Sequence, residues 1–240
     1  MRLPLILALL ALPAFAETAP DPGPATASPG TVARLIEAHR LYQLGQTAQD
    51  PLLVFAAARL MQRVTLREVV RIAAEPVPDA SPLPRPADKV VPDPARAAPL
   101  PAALNPQSLM AEARAMTPDN DLLRDVIAQA ETEVPPPGPV AEVTSLVQPA
   151  GEKSTFSIPV AGGTYSEVGL LRLSGDGADD STAQGHLTLT VTDALGKPVC
   201  QDVSASASVL CGIVPQVNGM FRVSIANDGP APAAYVLITN

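Results

Sequence analysis

The chain of 240 residues has no tryptophan, three tyrosines and four phenylalanines. It carries 16 Lys+Arg against 24 Asp+Glu, a formal charge of −8. Nucleic-acid binding draws on a basic surface and, for single strands, on aromatic platforms. Neither is here, which excludes nucleic acid as a partner. Two histidines and two cysteines are too few soft ligands for a transition-metal site. The chain contains no G-x-S-x-G elbow, no H-E-x-x-H helix and no G-x-x-x-x-G-K-[ST] loop. No catalytic residue and no cofactor are therefore expected. No segment approaches the ~20 apolar residues of a membrane-spanning helix, so no membrane span is expected either.

What the chain does have is proline, at 28 of 240 residues, more than twice the usual ~5%. Apolar residues reach 47%, enough to build a core. The first residues read as a secretory signal peptide. Arg2 supplies the positive start and Leu3 to Leu12 the short apolar stretch. Ala14-Phe15-Ala16 is the small-x-small cleavage pattern, making Glu17 the mature N-terminus. Export to the periplasm or beyond places Cys200 and Cys211 where disulfides persist. As the only pair they should bridge, closing a loop of ~12 residues that contributes roughly 2–3 kcal/mol.

Residues 17–30 are a proline-rich, disordered tether. Residues 31–133 read as a small helical module. Val32, Leu35, Ile36, His39 and Tyr42 share one helical face, with Gly45 at the expected C-terminal cap. Asp50-Pro51 then pairs an N-cap with proline at the first helical position. The second helix is expected to run to about Ala74, with Leu53, Ala57, Leu60, Met61 and Val64 inward. Residues 76–104 form a proline-rich excursion. Asn105-Pro106 and Thr117-Pro118 open two further helices. Val134 to Pro139 marks a boundary, after which apolar residues alternate. Phe156, Ile158 and Val160 do so, as do Leu187, Leu189 and Val191, then Phe221, Val223 and Ile225. The fold class is thus α+β in two modules, with an antiparallel β-sandwich over 140–240 expected to fold by itself.

Within that sandwich, Leu187 to Asp193, Gly196, Val199-Cys200 and Cys211 form a characteristic cadence. So do Gly219 to Asn227 and the closing Tyr235 to Asn240. Together they resemble the bacterial pre-peptidase C-terminal domain. The resemblance covers about two-fifths of the chain. It implies a jelly-roll-like, non-catalytic module of the kind appended to exported proteins for adhesion or targeting.

Among polar residues, Asp176, Asp179 and Asp180 could offer calcium the oxygen ligands it takes, or simply form a solvated acidic hairpin loop. Arg59, Arg63, Arg67 and Arg71 recur every four residues along the second helix. That stripe reads either as a docking face for an acidic partner or as a solvated surface. His39 and His186 read as structural. The expected function is that of an exported, non-catalytic adaptor binding a protein or glycan in the envelope or secreted space. The alternative is an accessory subunit of a secreted enzyme or a cryptic hydrolase.

Overall fold

The structure is a computed structural model describing residues 30–73, 100–173, 186–203 and 206–240. The segments read from sequence as signal peptide and tether, up to residue 29, and most of the proline-rich excursion lie outside the described residues.

The helical layer begins with α1 (Thr31–Ala48) and α2 (Pro51–Met61). Asp50 caps α2, its carboxylate accepting from the Leu52 N–H at 2.9 Å, and Pro51 occupies the first helical position. Gly45 is not the cap of α1. The helix runs through it and ends at Gln49, whose φ of 53° is left-handed. Gly45 instead admits the start of α2 against α1: a Cβ there would lie 2.8 Å from Cγ2 of Val54.

The same device opens α3 (Pro106–Ala115), where Asn105 Oδ1 accepts from the Gln107 N–H at 2.9 Å. The next helix, α4 (Asp121–Thr132), starts later than Thr117-Pro118 suggested, because Asn120 is its cap. Thr117 serves α3 instead, its hydroxyl donating to the Arg114 carbonyl at 2.9 Å. The end of the proline-rich excursion also differs from expectation. Ala102–Leu104 forms a 3-10 turn that buries Leu104 in the helical core.

The second helix does not reach Ala74. It stops at Met61, and Thr65–Glu68 forms strand β1. Residues 62–74 (QRVTLREVVRIAA) are rich in β-branched side chains, which favour a pleated strand over a helix. Strand β1 pairs in parallel with β2 (Val140–Gln148), Thr65 opposite Val140. The strands that follow are β3 (Lys153–Val160), β4 (Ser166–Leu173), β5 (Leu187–Thr192) and β6 (Pro198–Asp202). Then come β7 (Ser208–Ile213), β8 (Gly219–Asn227) and β9 (Ala233–Thr239). They form a five-stranded sheet, β1-β2-β9-β4-β7, and a four-stranded sheet, β3-β8-β5-β6. Without β1 this is the eight-strand order of a jelly roll, two interlocked Greek keys.

Each sheet turns alternate residues toward the other. Phe156, Leu189, Val223, Leu170, Tyr235 and Leu237 meet in the core between them. The opposite side of the five-stranded sheet is not solvated. Ala141, Val143, Leu171, Val236 and Ile238 point outward there and join Val32, Leu35, Met61, Leu109 and Ile127 in a second core. The helices and the sandwich therefore share apolar surface. They are not two modules spaced by a linker. The Val134–Pro139 segment itself packs back, its last carbonyl accepting the Thr65 N–H at 2.9 Å.

Cys200 and Cys211 are disulfide-bonded, with Cα atoms 6.0 Å apart. The bridge has a specific place in the fold. It ties β6, the edge of one sheet, to β7, the edge of the other, and closes that side of the sandwich.

Candidate functional site

The structure does not assemble the arginine stripe. Arg59 alone lies on α2, where it meets Glu133 at 2.9 Å and donates to Gln62 Oε1 at 2.8 Å. Arg63 lies past the helix end, exposed. With Pro135, Pro136, Pro137 and Gly138 these side chains line a shallow cleft of about 370 Å³. Arg67 and Arg71 belong to β1 and its extension. Both grip Glu142 across the parallel pair, and Arg71 Nη2 also donates to Thr239 Oγ1 at 2.7 Å. Burial alone would raise the Glu142 carboxyl. The hydrogen bond from Arg67 and the charge of Arg71 outweigh it and hold the carboxyl below its usual range.

Arginine every four residues fits a helix, yet four is also an even number. On an extended chain it places Arg67 and Arg71 on one side of the strand. Half of the stripe is thus an intramolecular clamp at the sheet edge, its charges already matched to a carboxylate.

The histidines do not form a site. His39 is 4% exposed within the helical layer, and neither ring nitrogen has a hydrogen-bond partner. Burial pushes its pKa down, toward the neutral ring. His186 precedes β5, far along the chain, and its carbonyl accepts the Asp228 N–H at 2.8 Å. The calcium candidates Asp176, Asp179 and Asp180 lie outside the described residues. Among the described residues no group of three or more His, Cys, Asp and Glu is arranged to hold a metal.

Among the described residues, one extended surface carries no covering layer: the outer face of the four-stranded sheet. Strand register fixes which side chains share it. Lys153, Ala226 and Thr188 form one row, and Thr155, Ser224, Thr190 and Gln201 the next. Ser157, Arg222, Thr192 and Pro198 follow, and Pro159 stands beside Met220. The Thr155 and Ser224 hydroxyls are hydrogen-bonded at 2.9 Å. None of these positions carries a carboxylate or an aromatic ring. Among the described residues, Lys153 and Arg222 have no ion-pair partner. Arg40, Arg59, Arg67, Arg71, Arg114 and Arg124 are each paired with an acid, while Arg34, Arg63, Arg172 and Lys197 share the unpaired state of the two face cations among the described residues.

No family model matches the chain. No curated protein matches it in sequence either. Among solved structures, it is similar to PliG of Aeromonas hydrophila, a periplasmic inhibitor of g-type lysozyme. That alignment has 5% identity and a TM-score of 0.29, over 42% of this chain and 84% of that one. It is also similar to SpX-3, a fucose-binding module of Streptococcus pneumoniae, at 15% identity and a TM-score of 0.25 over 40% and 70% of the two chains. The lectin domain of lectinolysin, solved with Lewis B antigen, aligns at 10% identity and a TM-score of 0.25 over the same shares. Likenesses this distant carry no argument about this chain.

The open sheet face is not announced by the apolar half of each alternation, which marks only the inward positions. The signal was present in the other half: Thr188, Thr190 and Thr192 are the outward positions of β5, as Arg222 and Ser224 are of β8. Which sheet would be left uncovered had no signature in the sequence.

Proposed function

We propose that this chain is an exported, non-catalytic binding protein of the cell envelope or secreted space. It engages a protein or glycan partner through the outer face of its four-stranded sheet. The observation that carries this reading is an asymmetry. Helices bury one broad face of the jelly roll, while the opposite face presents ordered rows of hydroxyls, an amide and cations unpaired among the described residues. The bridged cysteines support export, since disulfides persist in oxidising compartments. The signal peptide read at residues 1–16 supports the same address, and no helix of the described residues is long and apolar enough to cross a membrane. The jelly-roll strand order supports the resemblance to the pre-peptidase C-terminal domain, and with it a module that binds without catalysing.

The test is comparative affinity capture from the native envelope. Wild-type chain is set against a face variant (Thr155→Val, Thr190→Val, Ser224→Ala, Gln201→Ala) and a helical-side variant (Arg59→Glu, Arg63→Glu). A partner lost with the face variant alone, at unchanged melting temperature, supports the reading. A partner lost only with the arginine variant moves the interface to the cleft beside α2.

A further inference from the structure

The open face has a chemical bias that narrows its ligand. Ser, Thr and Gln side chains both donate and accept hydrogen bonds, as sugar hydroxyls do. Protein–protein interface cores are instead enriched in aromatic residues and depleted in Ser and Lys. The outward positions have no aromatic residue, so the apolar side of a neutral sugar ring finds nothing to stack on.

What these positions do hold is positive charge without acid. Lys153 lies opposite Ala226, four residues from Arg222 on β8, which sets the two cations ~13 Å apart along the strand direction. The Thr155–Ser224–Thr190–Gln201 row runs between them. Of the nearest acids in the sequence, Glu152, Asp193 and Asp228 lie beyond the strand ends, and Asp202, the last residue of β6, stands opposite Leu189 in the inward-facing register. In a chain of net charge −8, a broad face free of carboxylate stands apart from the rest of the surface.

Resting on the reading above, that the open face is the binding surface, we propose that its ligand is an acidic polysaccharide. Carboxylates along the polymer meet Lys153 and Arg222, and sugar hydroxyls between them meet the row of Thr, Ser and Gln side chains. Charged hydrogen bonds anchor the strand of sugar and the hydroxyl row sets its position.

The test uses the exported, disulfide-intact chain with polygalacturonate and alginate as acidic probes and dextran as the neutral one. Binding is measured at low and high salt. Both acidic polymers should bind and dextran should not. Lys153→Glu with Arg222→Glu should weaken binding roughly ten-fold or more. Arg59→Glu with Arg63→Glu, equal in charge change but distant, should leave it nearly unaltered. High salt should weaken it, as exposed charges are screened. Two results would overturn the proposal and leave the face itself standing: dextran binding as well as the uronates, or an envelope protein captured through the face while the uronates are ignored. Polymer binding equally sensitive to both charge reversals would mark bulk electrostatics and would also overturn it. If nothing bound depends on the face residues, both the ligand class and the open-face reading fail.

Discussion

Glu167 Oε2 accepts the backbone N–H of Val32 at 2.8 Å, across 135 positions of sequence. The same carboxylate takes the N–H groups of Gly30 and Ala33, at 3.1 and 3.3 Å. Helix α1 has no side-chain cap of its own, since its N-cap residue is glycine. A strand residue of the sandwich supplies the cap instead, its charge at the positive end of the helix. A Cβ on Gly30 would run into that carboxyl group, so glycine there is what admits it.

Glu167→Ala leaves these N–H groups without their acceptor and should cost about 2–4 kcal/mol in urea unfolding. Glu167→Gln keeps an acceptor but loses the charge, and should cost nearer ~1 kcal/mol. Gly30→Ala should also destabilise by expelling the carboxyl group. If Glu167→Ala is neutral, the helix finds its cap elsewhere.

The fragment 140–240, expected from sequence to fold alone, should not do so cleanly. It would expose Val143, Leu171, Val236 and Ile238, each fully buried in the intact chain, and would lose its partner strand β1. Dye binding and a broadened urea transition are the expected signs. A sharp transition without dye binding would show that the jelly roll needs no helical cover.

Reducing the Cys200–Cys211 bond should lower stability by roughly 3 kcal/mol, on loop-closure grounds. Because the bond spans the edges of two sheets, hydrogen exchange should rise first in β6 and β7. Uniform loss of protection would mean the edge does not open separately.

Acid should weaken the fold through His39. Its folded pKa is lowered by burial, so below the ordinary value of about 6.5 the unfolded chain takes up a proton the folded one refuses. Its contribution is therefore intact above that pH. It falls away as pH drops, by at most about 1.4 kcal/mol per pH unit. His39→Leu should flatten stability between pH 5 and 7, as measured by urea midpoints. It should also raise stability by about 1 kcal/mol, because two unpartnered ring nitrogens leave the interior. An unchanged pH slope in His39→Leu would assign the acid sensitivity to another group.

Much of the local structure was legible. Asp50-Pro51 and Asn105-Pro106 cap helices for reasons contained in a few adjacent residues. Phe156/Ile158/Val160 and Leu187/Leu189/Val191 announce their inward faces by alternation alone. The errors fell where a local pattern fits two structures. Gly45 can cap a helix or admit a neighbour, and only the position of Val54 decides between them. Thr117-Pro118 resembles a helix start but closes the preceding helix, because Asn120 is the stronger cap. The binding surface was half visible, as the polar residues of alternating strands, without any indication that they would stay uncovered.

The sequence by itself determined the Asp50 and Asn105 caps, the inward faces of the alternating strands and the pairing of the only two cysteines. Each depends on residue identity or on short-range spacing. The tertiary structure alone decided that Arg67 and Arg71 share Glu142, that Glu167 caps α1, and that the helices cover the five-stranded sheet. These relations join residues 71 to 137 positions apart, where spacing carries no information. A repeat of four fits a helix and a strand alike, and the choice fell to β2, whose free edge gave residues 65–68 a ladder to join.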